Sequence, residues 1–208
     1  MEHNYSYIYD GMNAFEKEVK RWLDFFLATV CLIIFSPLFL VCYIAVKRGH
    51  DGPVIFKQER IGRFGRPFYI YKFRSMVVDA EKEGEELLQR ENDPRLTRIG
   101  RFMRAHHLDE LPQLWNVFVG DMAFVGPRPE RKYYIDQIMA RDPRYEQLYA
   151  LRPGVTSYAT LKNGYTDTID KMLIRLDMDL YYLKHQSIWM DTKILWTTFA
   201  RIVLGKIF

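Results

Sequence analysis

Residues Phe25 to Val46 read "FFLATVCLIIFSPLFLVCYIAV", 22 positions without a charge. As one straight helix at about 1.5 Å per residue, the stretch would cover roughly 33 Å, enough for a bilayer core of about 30 Å. Two features argue against a simple span. Pro37, after Ser36, stands in mid-segment, where a missing N–H and a ring clash kink or break a helix. Both flanks are also basic: Lys17, Lys20 and Arg21 before it, Lys47 and Arg48 after it. Lys and Arg gather on the cytoplasmic side of a membrane helix, so a spanning segment should be basic on one flank only. The segment therefore reads as a re-entrant helix-break-helix hairpin with both ends cytoplasmic. Ser36 or a neighbouring helix must satisfy the backbone that Pro37 frees. It is no secretory signal, because it starts late and has no small-residue cleavage site.

Outward from this segment, the chain divides into a polar stretch at 1–17, the membrane hairpin at 18–48 and a catalytic domain at 49–208. The 208 residues suit one domain with appended elements. Half are hydrophobic, the net charge is +4, and the pI is near 8.9. This mild basicity fits an anionic membrane surface or a phosphorylated substrate. No basic tract interleaved with aromatics speaks for nucleic acid. Cys31 and Cys42 both lie in the apolar segment and make no disulfide framework. The five histidines lack zinc-type spacing, and His106 and His107 read as structural or peripheral.

Pro53 to Met76 reads as two short strands around a turn rich in Gly and Arg, a plain hairpin rather than a phosphate cradle. The mixed charges of Asp79 to Leu96 predict a solvated helix or loop. From Thr97 the pattern becomes helical, with Ile99, Phe102 and Met103 and a basic side of Arg98, Arg101 and Arg104. Asp109 is placed to cap the next helix, which tolerates Pro112 in its first turn, buries Leu111, Leu114, Trp115 and Phe118, and ends near Gly120. Arg131 onward reads as helical to about Leu151, and "LIRLDMDLYYLKH" as a further helix. The apolar, aromatic C-terminus "IWMDTKILWTTFARIVLGKIF" is punctuated by Lys193, Arg201 and Lys206. It reads as a helix lying in the membrane interface, with a core helix as the alternative. The expected fold is thus α+β and mostly helical: a membrane hairpin, a small β-hairpin and amphipathic interfacial helices around a cytosolic active site.

The chemistry concentrates in "RAHHLDELPQLWNVFVGDMAFVGPRPE", Arg104 to Glu130. Asp109 and Glu110 are adjacent carboxylates; Arg104 precedes them, Arg128 stands between two prolines, and Arg152 opens a second "RPG". Arg in rigid turns favours bidentate phosphate contacts. Two carboxylates among such residues suit Mg²⁺, whose coordination is completed by substrate phosphates.

Taken in order, "YKFRSM" (Tyr71 to Met76), "LDELPQLWNVFVGDM" (Leu108 to Met122), "FVGPRPE" (Phe124 to Glu130) and "RPGVT" (Arg152 to Thr156) follow a hydrophobic segment with an internal Ser-Pro. The chain so resembles the bacterial sugar transferases, monotopic phosphoglycosyl transferases, from about Lys17 onward. The resemblance implies transfer of a phospho-sugar from a UDP-sugar to polyprenol (undecaprenyl) phosphate through a covalent aspartyl-phosphosugar intermediate, with release of UMP. This would be the first membrane step of capsule, exopolysaccharide or O-antigen assembly. It implies Asp109 as nucleophile, and Glu110 as Mg²⁺ ligand and helper of the lipid phosphate's attack. Lys72, Arg104, Arg128 and Arg152 would bind phosphate. Asp179, in "MDLYYL", matches an acidic family position and is a candidate substrate contact. The implied partners are UDP-sugar, polyprenol phosphate and the bilayer, with a homodimer allowed, and the implied place is the cytoplasmic face of the bacterial inner membrane. Val155 to Asp167 departs from the family's "ITGWAQVNGR" pattern, so no sugar-recognition residue carries over. Without the extra N-terminal helices of larger relatives, the chain looks like the minimal form. The competing readings are a membrane-anchored Mg²⁺-dependent hydrolase of phosphate or diphosphate esters, and a non-catalytic membrane scaffold in which Asp109–Glu110 is only a cap.

Overall fold

A computed structural model describes residues 10–49, 52–78, 80, 93–163 and 166–204. The fold is α+β and mostly helical. Helix α1 (Ala14–Ile34) opens with a capping box in which Asn13 accepts from the Glu16 N–H and the Glu16 carboxylate accepts from the Asn13 N–H. Helix α2 (Ser36–Gly49) follows at once, and the pair is bent by 63°. No single helix among the described residues is long and apolar enough to cross a membrane; only this bent pair passes by length and composition. The cause of the bend is local. Pro37 has no N–H for the Ile33 carbonyl, and the Ser36 hydroxyl donates to that carbonyl instead, at 2.8 Å. The first limb begins well before the apolar segment, because its polar first turns continue the helix and pack along α4.

Strands β1 (Ile55–Ile61) and β2 (Pro67–Phe73) pair antiparallel, Ile55 opposite Phe73 and Ile61 opposite Pro67. The turn between them is a plain hairpin connection: Gly62 and Arg66 close it, and Phe64 and Gly65 take left-handed backbone. Helix α3 (Arg98–Ala105) is capped by Thr97, whose hydroxyl accepts from the Gly100 N–H. Helix α4 (Gln113–Val119) ends at Gly120, with φ of 95°. Strand β3 (Ala123–Val125) runs parallel to β4 (Gly154–Thr156). Between them lie α5 (Lys132–Arg141) and a 3-10 segment (Pro143–Ala150). The single helix expected to Leu151 is thus broken, because Pro143 cannot continue α5 and Asp142 caps the new segment at the Arg144 N–H. Helices α6 (Thr160–Asn163), α7 (Ile169–His185) and α8 (Ile188–Val203) complete the chain.

The larger core joins Ala28 of α1 to Val117, Met122, Ile135, Met172, Leu183 and Ile194. A smaller core joins Cys42 and Val46 of α2 to Val54, Phe73 and Met103. Helix α8 divides its faces: Ile194 and Asp191 are buried, whereas Trp189, Trp196 and Phe199 form an exposed stripe. One face of this helix thus packs into the core, as the alternative reading has it, and the other is apolar and exposed.

Helix α4 departs from expectation. Its buried face is polar, Gln113 and Asn116 with Val117, and Trp115 is half exposed. The reason lies next door. The Asn116 side chain accepts from the Tyr71 N–H at 3.1 Å and donates to the Tyr69 carbonyl at 2.7 Å, satisfying the free edge of β2. Trp115 instead stacks on Phe118, which stacks on Phe25 of α1. The charged stretch from Asp79 lies mostly outside the described residues, although Asp93 is buried and paired with Arg95 at 2.5 Å.

Candidate active site

The site forms where α3 hands over to α4. At His107 the backbone turns left-handed, with φ of 54°, and Leu108–Glu110 form one 3-10 turn. This corrects the expected cap. In the first turn of α4 the N–H groups of Leu114 and Trp115 already donate to the carbonyls of Leu111 and Pro112. Asp109 caps neither of them and is buried inside the preceding turn.

Three cations converge on the pair. Lys72, on β2, donates to Glu110 Oε1 at 2.7 Å. Arg104, in the last turn of α3, lies 3.9 Å from Asp109 Oδ2. Arg128, exposed between the buried Pro127 and Pro129, acts electrostatically on Glu110. The two carboxyls are pushed apart. Burial and then the charge of Glu110 push Asp109 up, with Lys72 and Arg104 opposing. Burial also pushes Glu110 upward, but Lys72 and Arg128 outweigh it and hold that carboxyl at about 2. His107, read as peripheral, is close enough to favour the charged form of both. His106 instead contacts the Phe102 carbonyl through Nδ1 at 2.8 Å.

Sequence reasoning missed the supports of these groups. Arg104 Nε donates to the buried Ser75 Oγ at 3.0 Å, which aims the guanidinium. The Ser75 carbonyl accepts the Thr97 N–H, so β2's exit is tied to the start of α3. Gly100 permits the approach, since a Cβ there would overlap the Ser75 carbonyl oxygen. Helix spacing marks Gly100 as a liability, and only a partner from a distant segment explains it.

Two candidates lie elsewhere. Arg152 Nε donates to the Gly120 carbonyl at 3.0 Å, and its charged neighbours are Arg63 and Arg21 rather than the carboxylate pair. Asp179 is buried beside Arg175 and Glu130, pushed up to about 7 by burial, with Arg175 opposing and Glu130 reinforcing the shift.

Among the described residues no group of three or more His, Cys, Asp or Glu could hold a metal ion. Asp109 and Glu110 remain as a hard-oxygen pair, one member of which is disfavoured in its charged form. A small divalent cation sharing its shell with phosphate oxygens fits such a pair.

The motif resemblance is matched by comparison with known proteins. The bacterial sugar transferase family model matches residues 15–205. A UDP-N-acetylgalactosamine-undecaprenyl-phosphate N-acetylgalactosaminephosphotransferase of Aeromonas hydrophila is 39% identical over 90% of this chain and 44% of its own length. A UDP-glucose:undecaprenyl-phosphate glucose-1-phosphate transferase of Caulobacter vibrioides is 41% identical over 86% of this chain and 67% of its own. The exopolysaccharide production protein PSS of Rhizobium leguminosarum bv. phaseoli is 37% identical over 90% of this chain and 97% of its own. The chain therefore spans less than half of the Aeromonas relative and nearly all of the Rhizobium one. With the carboxylate pair, its cations and this match over nearly all its length, the chain belongs to the bacterial sugar transferase family.

Proposed function

We propose that this chain transfers a phospho-sugar from a UDP-sugar to polyprenol phosphate, giving polyprenyl diphosphate sugar and UMP, as the first membrane step of bacterial glycoconjugate assembly. One observation carries the reading: a buried Asp109 and its neighbour Glu110 are paired with Arg104 and Lys72, and Arg128 acts electrostatically on Glu110. Relatives named for undecaprenyl-phosphate sugar-phosphate transfer support it.

In the first half-reaction an Asp109 carboxylate oxygen attacks the sugar-bearing phosphorus. The bond from that phosphorus to the bridging oxygen breaks, and UMP leaves with the electron pair. The lipid phosphate oxygen then attacks the same phosphorus, and Asp109 leaves as a carboxylate. An anionic nucleophile meeting a diphosphate needs countercharge, which Arg104 and Arg128 supply, with Lys72 beside them. Mg²⁺ held by Asp109 and Glu110 would neutralise the diphosphate when bound. Glu110, kept ionised by Lys72 and Arg128, is suited to that role and to orienting the lipid phosphate. Arg152 binds phosphate only if substrate reaches the Gly120 side of the molecule.

The acceptor does not leave the bilayer, so the site must work at the membrane surface. The exposed apolar faces of the bent α1–α2 pair and the Trp189–Trp196–Phe199 stripe of α8 supply matching contacts. We read the pair as re-entrant, with both ends on the cytoplasmic face of the inner membrane.

Incubation with radiolabelled UDP-sugars, with and without undecaprenyl phosphate, tests the function. Label entering lipid only with acceptor is the expected result. Label released as free sugar phosphate without acceptor would establish a hydrolase, and no turnover a scaffold. Asp109→Asn should abolish turnover while the protein still folds and partitions to membrane; substantial residual transfer refutes the nucleophile assignment.

A further inference from the structure

Beyond the carboxylate pair lies a second buried charged cluster. Arg175 Nη2 of α7 donates to Glu130 Oε1 at 2.6 Å, and both side chains are 6% exposed. Arg60 Nη1 of β1 lies 3.7 Å from Glu130 Oε2 and donates to the Pro129 carbonyl at 3.4 Å. Asp179, one turn on from Arg175, has its Oδ1 buried without a hydrogen-bond partner.

This cluster sits at one foot of the arch that carries Arg128. The other foot is fastened by backbone: the Gly126 N–H donates to the Thr156 carbonyl at 3.1 Å, and the Pro127 carbonyl accepts from the Gly154 N–H at 2.9 Å. Downstream the Glu130 carbonyl accepts from the Ile61 N–H at 3.0 Å. Pro127 and Pro129 fix φ on either side of Arg128, so the direction of its side chain follows from how the two feet are held. Arg128 also acts electrostatically on the carboxylates of both Glu110 and Glu130.

A buried ion pair is a poor source of stability, since a well-packed apolar pair of similar volume is often as stable or more so. Its presence beneath the arch therefore calls for another explanation. We propose that Glu130 and Arg175 are positioning residues: their buried ion pair, braced by Arg60, holds the Pro127–Arg128–Pro129 arch so that the Arg128 guanidinium faces the diphosphate-binding side of Asp109 and Glu110. Two already-placed cations satisfy Glu130, so it does not sequester Arg128. Arg128 can then give its donors to an arriving phosphate. This inference rests on the proposed reading that Arg128 binds substrate phosphate.

The test is a coupling cycle on binding, with the full chain in nanodiscs and UDP with Mg²⁺ as the probe, read by calorimetry. Glu130→Met with Arg175→Met removes the pair while filling its space, and should leave the thermal midpoint close to wild type. Arg128→Ala should weaken UDP about tenfold or more, as loss of a charge-assisted contact to phosphate does. The double Met variant should weaken UDP about three- to tenfold when Arg128 is present, and less than twofold on top of Arg128→Ala. Conservative Arg175→Lys should recover part of the loss, because a cation still reaches Glu130. An equal penalty with and without Arg128 overturns the proposal, as does unchanged UDP affinity in the double Met variant. Transfer of label to lipid is scored separately. A wild-type protein that binds UDP but transfers nothing refutes the transferase reading and leaves the coupling cycle to decide the positioning role.

Discussion

Asp179 offers a sharp test, because its environment gives its protonation an energetic sign. Its carboxyl moves from an ordinary 3.8 to about 7, first through burial, with Arg175 opposing and Glu130 adding to the shift. A group whose folded pKa is raised stabilises the fold fully below its unfolded pKa, and that stability is lost as pH rises through the folded value. The shift is about three units, and at ~1.4 kcal/mol each it amounts to on the order of 4 kcal/mol between pH 4 and pH 7. Asp179→Asn keeps the shape and removes the titration. The stability of the variant relative to wild type should therefore climb by about 3 kcal/mol from pH 5 to pH 7, then level off. For a chain of this size that is a relative rise in thermal midpoint of roughly 5–10 °C. The assay is thermal unfolding of both proteins in the same detergent at pH 5, 6, 7 and 8. Other titrating groups are common to both proteins and cancel in the difference. A wild-type-minus-variant difference that stays flat with pH, or changes in the opposite sense, refutes the argument that burial controls this carboxyl.

Two further outcomes follow from the backbone. Pro37→Ala restores an N–H beneath the Ile33 carbonyl and should straighten the bend toward a span; cysteines at Asn13 and Arg48, in a background lacking Cys31 and Cys42, should then label from opposite sides of the membrane, and an unchanged pattern means Pro37 does not set topology. Gly100→Ala places a Cβ against the Ser75 carbonyl, so the midpoint should fall by several degrees and transfer with it; a wild-type midpoint would show that α3 can slide away from Ser75.

What the sequence made legible was what local chemistry determines. Pro37 between basic flanks marks the break, alternation marks β1 and β2, and Gly120 marks the end of α4. Lys72, Arg104 and Arg128 stand out in the sequence as phosphate-binding cations; the fold sets Lys72 against Glu110 and Arg104 near Asp109, and Arg128 acts electrostatically on Glu110. Arg152 carries the same type of signal, a rigid Arg-Pro-Gly turn, yet its guanidinium serves the carbonyl at the end of α4. Turn rigidity fixes where an Arg can point and leaves its partner to tertiary packing. Asn116 shows the complementary failure. Apolar spacing ranked Leu114, Trp115 and Phe118 as the buried face, but the free edge of β2 demanded a donor and an acceptor, and only the amide supplies both. Asp109 failed as a cap for a similar reason: the left-handed turn at His107 altered which N–H groups were open.

The same tertiary logic ties α1 to the site. On its polar face Lys20 donates to the Val125 carbonyl at 3.0 Å and pairs with Asp191 of α8, while Asp24 accepts from the Phe124 N–H at 3.2 Å. Tyr182 adds its hydroxyl to Asp191 at 2.6 Å. These contacts grip β3 immediately before Gly126, where the arch bearing Arg128 begins. If α1 lies in the bilayer as proposed, its depth and the height of that Arg are mechanically one quantity. Lys20→Met leaves Asp191 buried without its cation, and removing one partner of a buried pair costs about 3–5 kcal/mol. Lys20→Met with Asp191→Leu removes both charges and should recover most of that loss in thermal unfolding. If the single variant is as stable as the double, Lys20 is a solvated lysine at the membrane edge and the grip on β3 comes from Asp24 alone. If the double recovers stability but not transfer to lipid, the clamp sets the working height of the site as well as holding it.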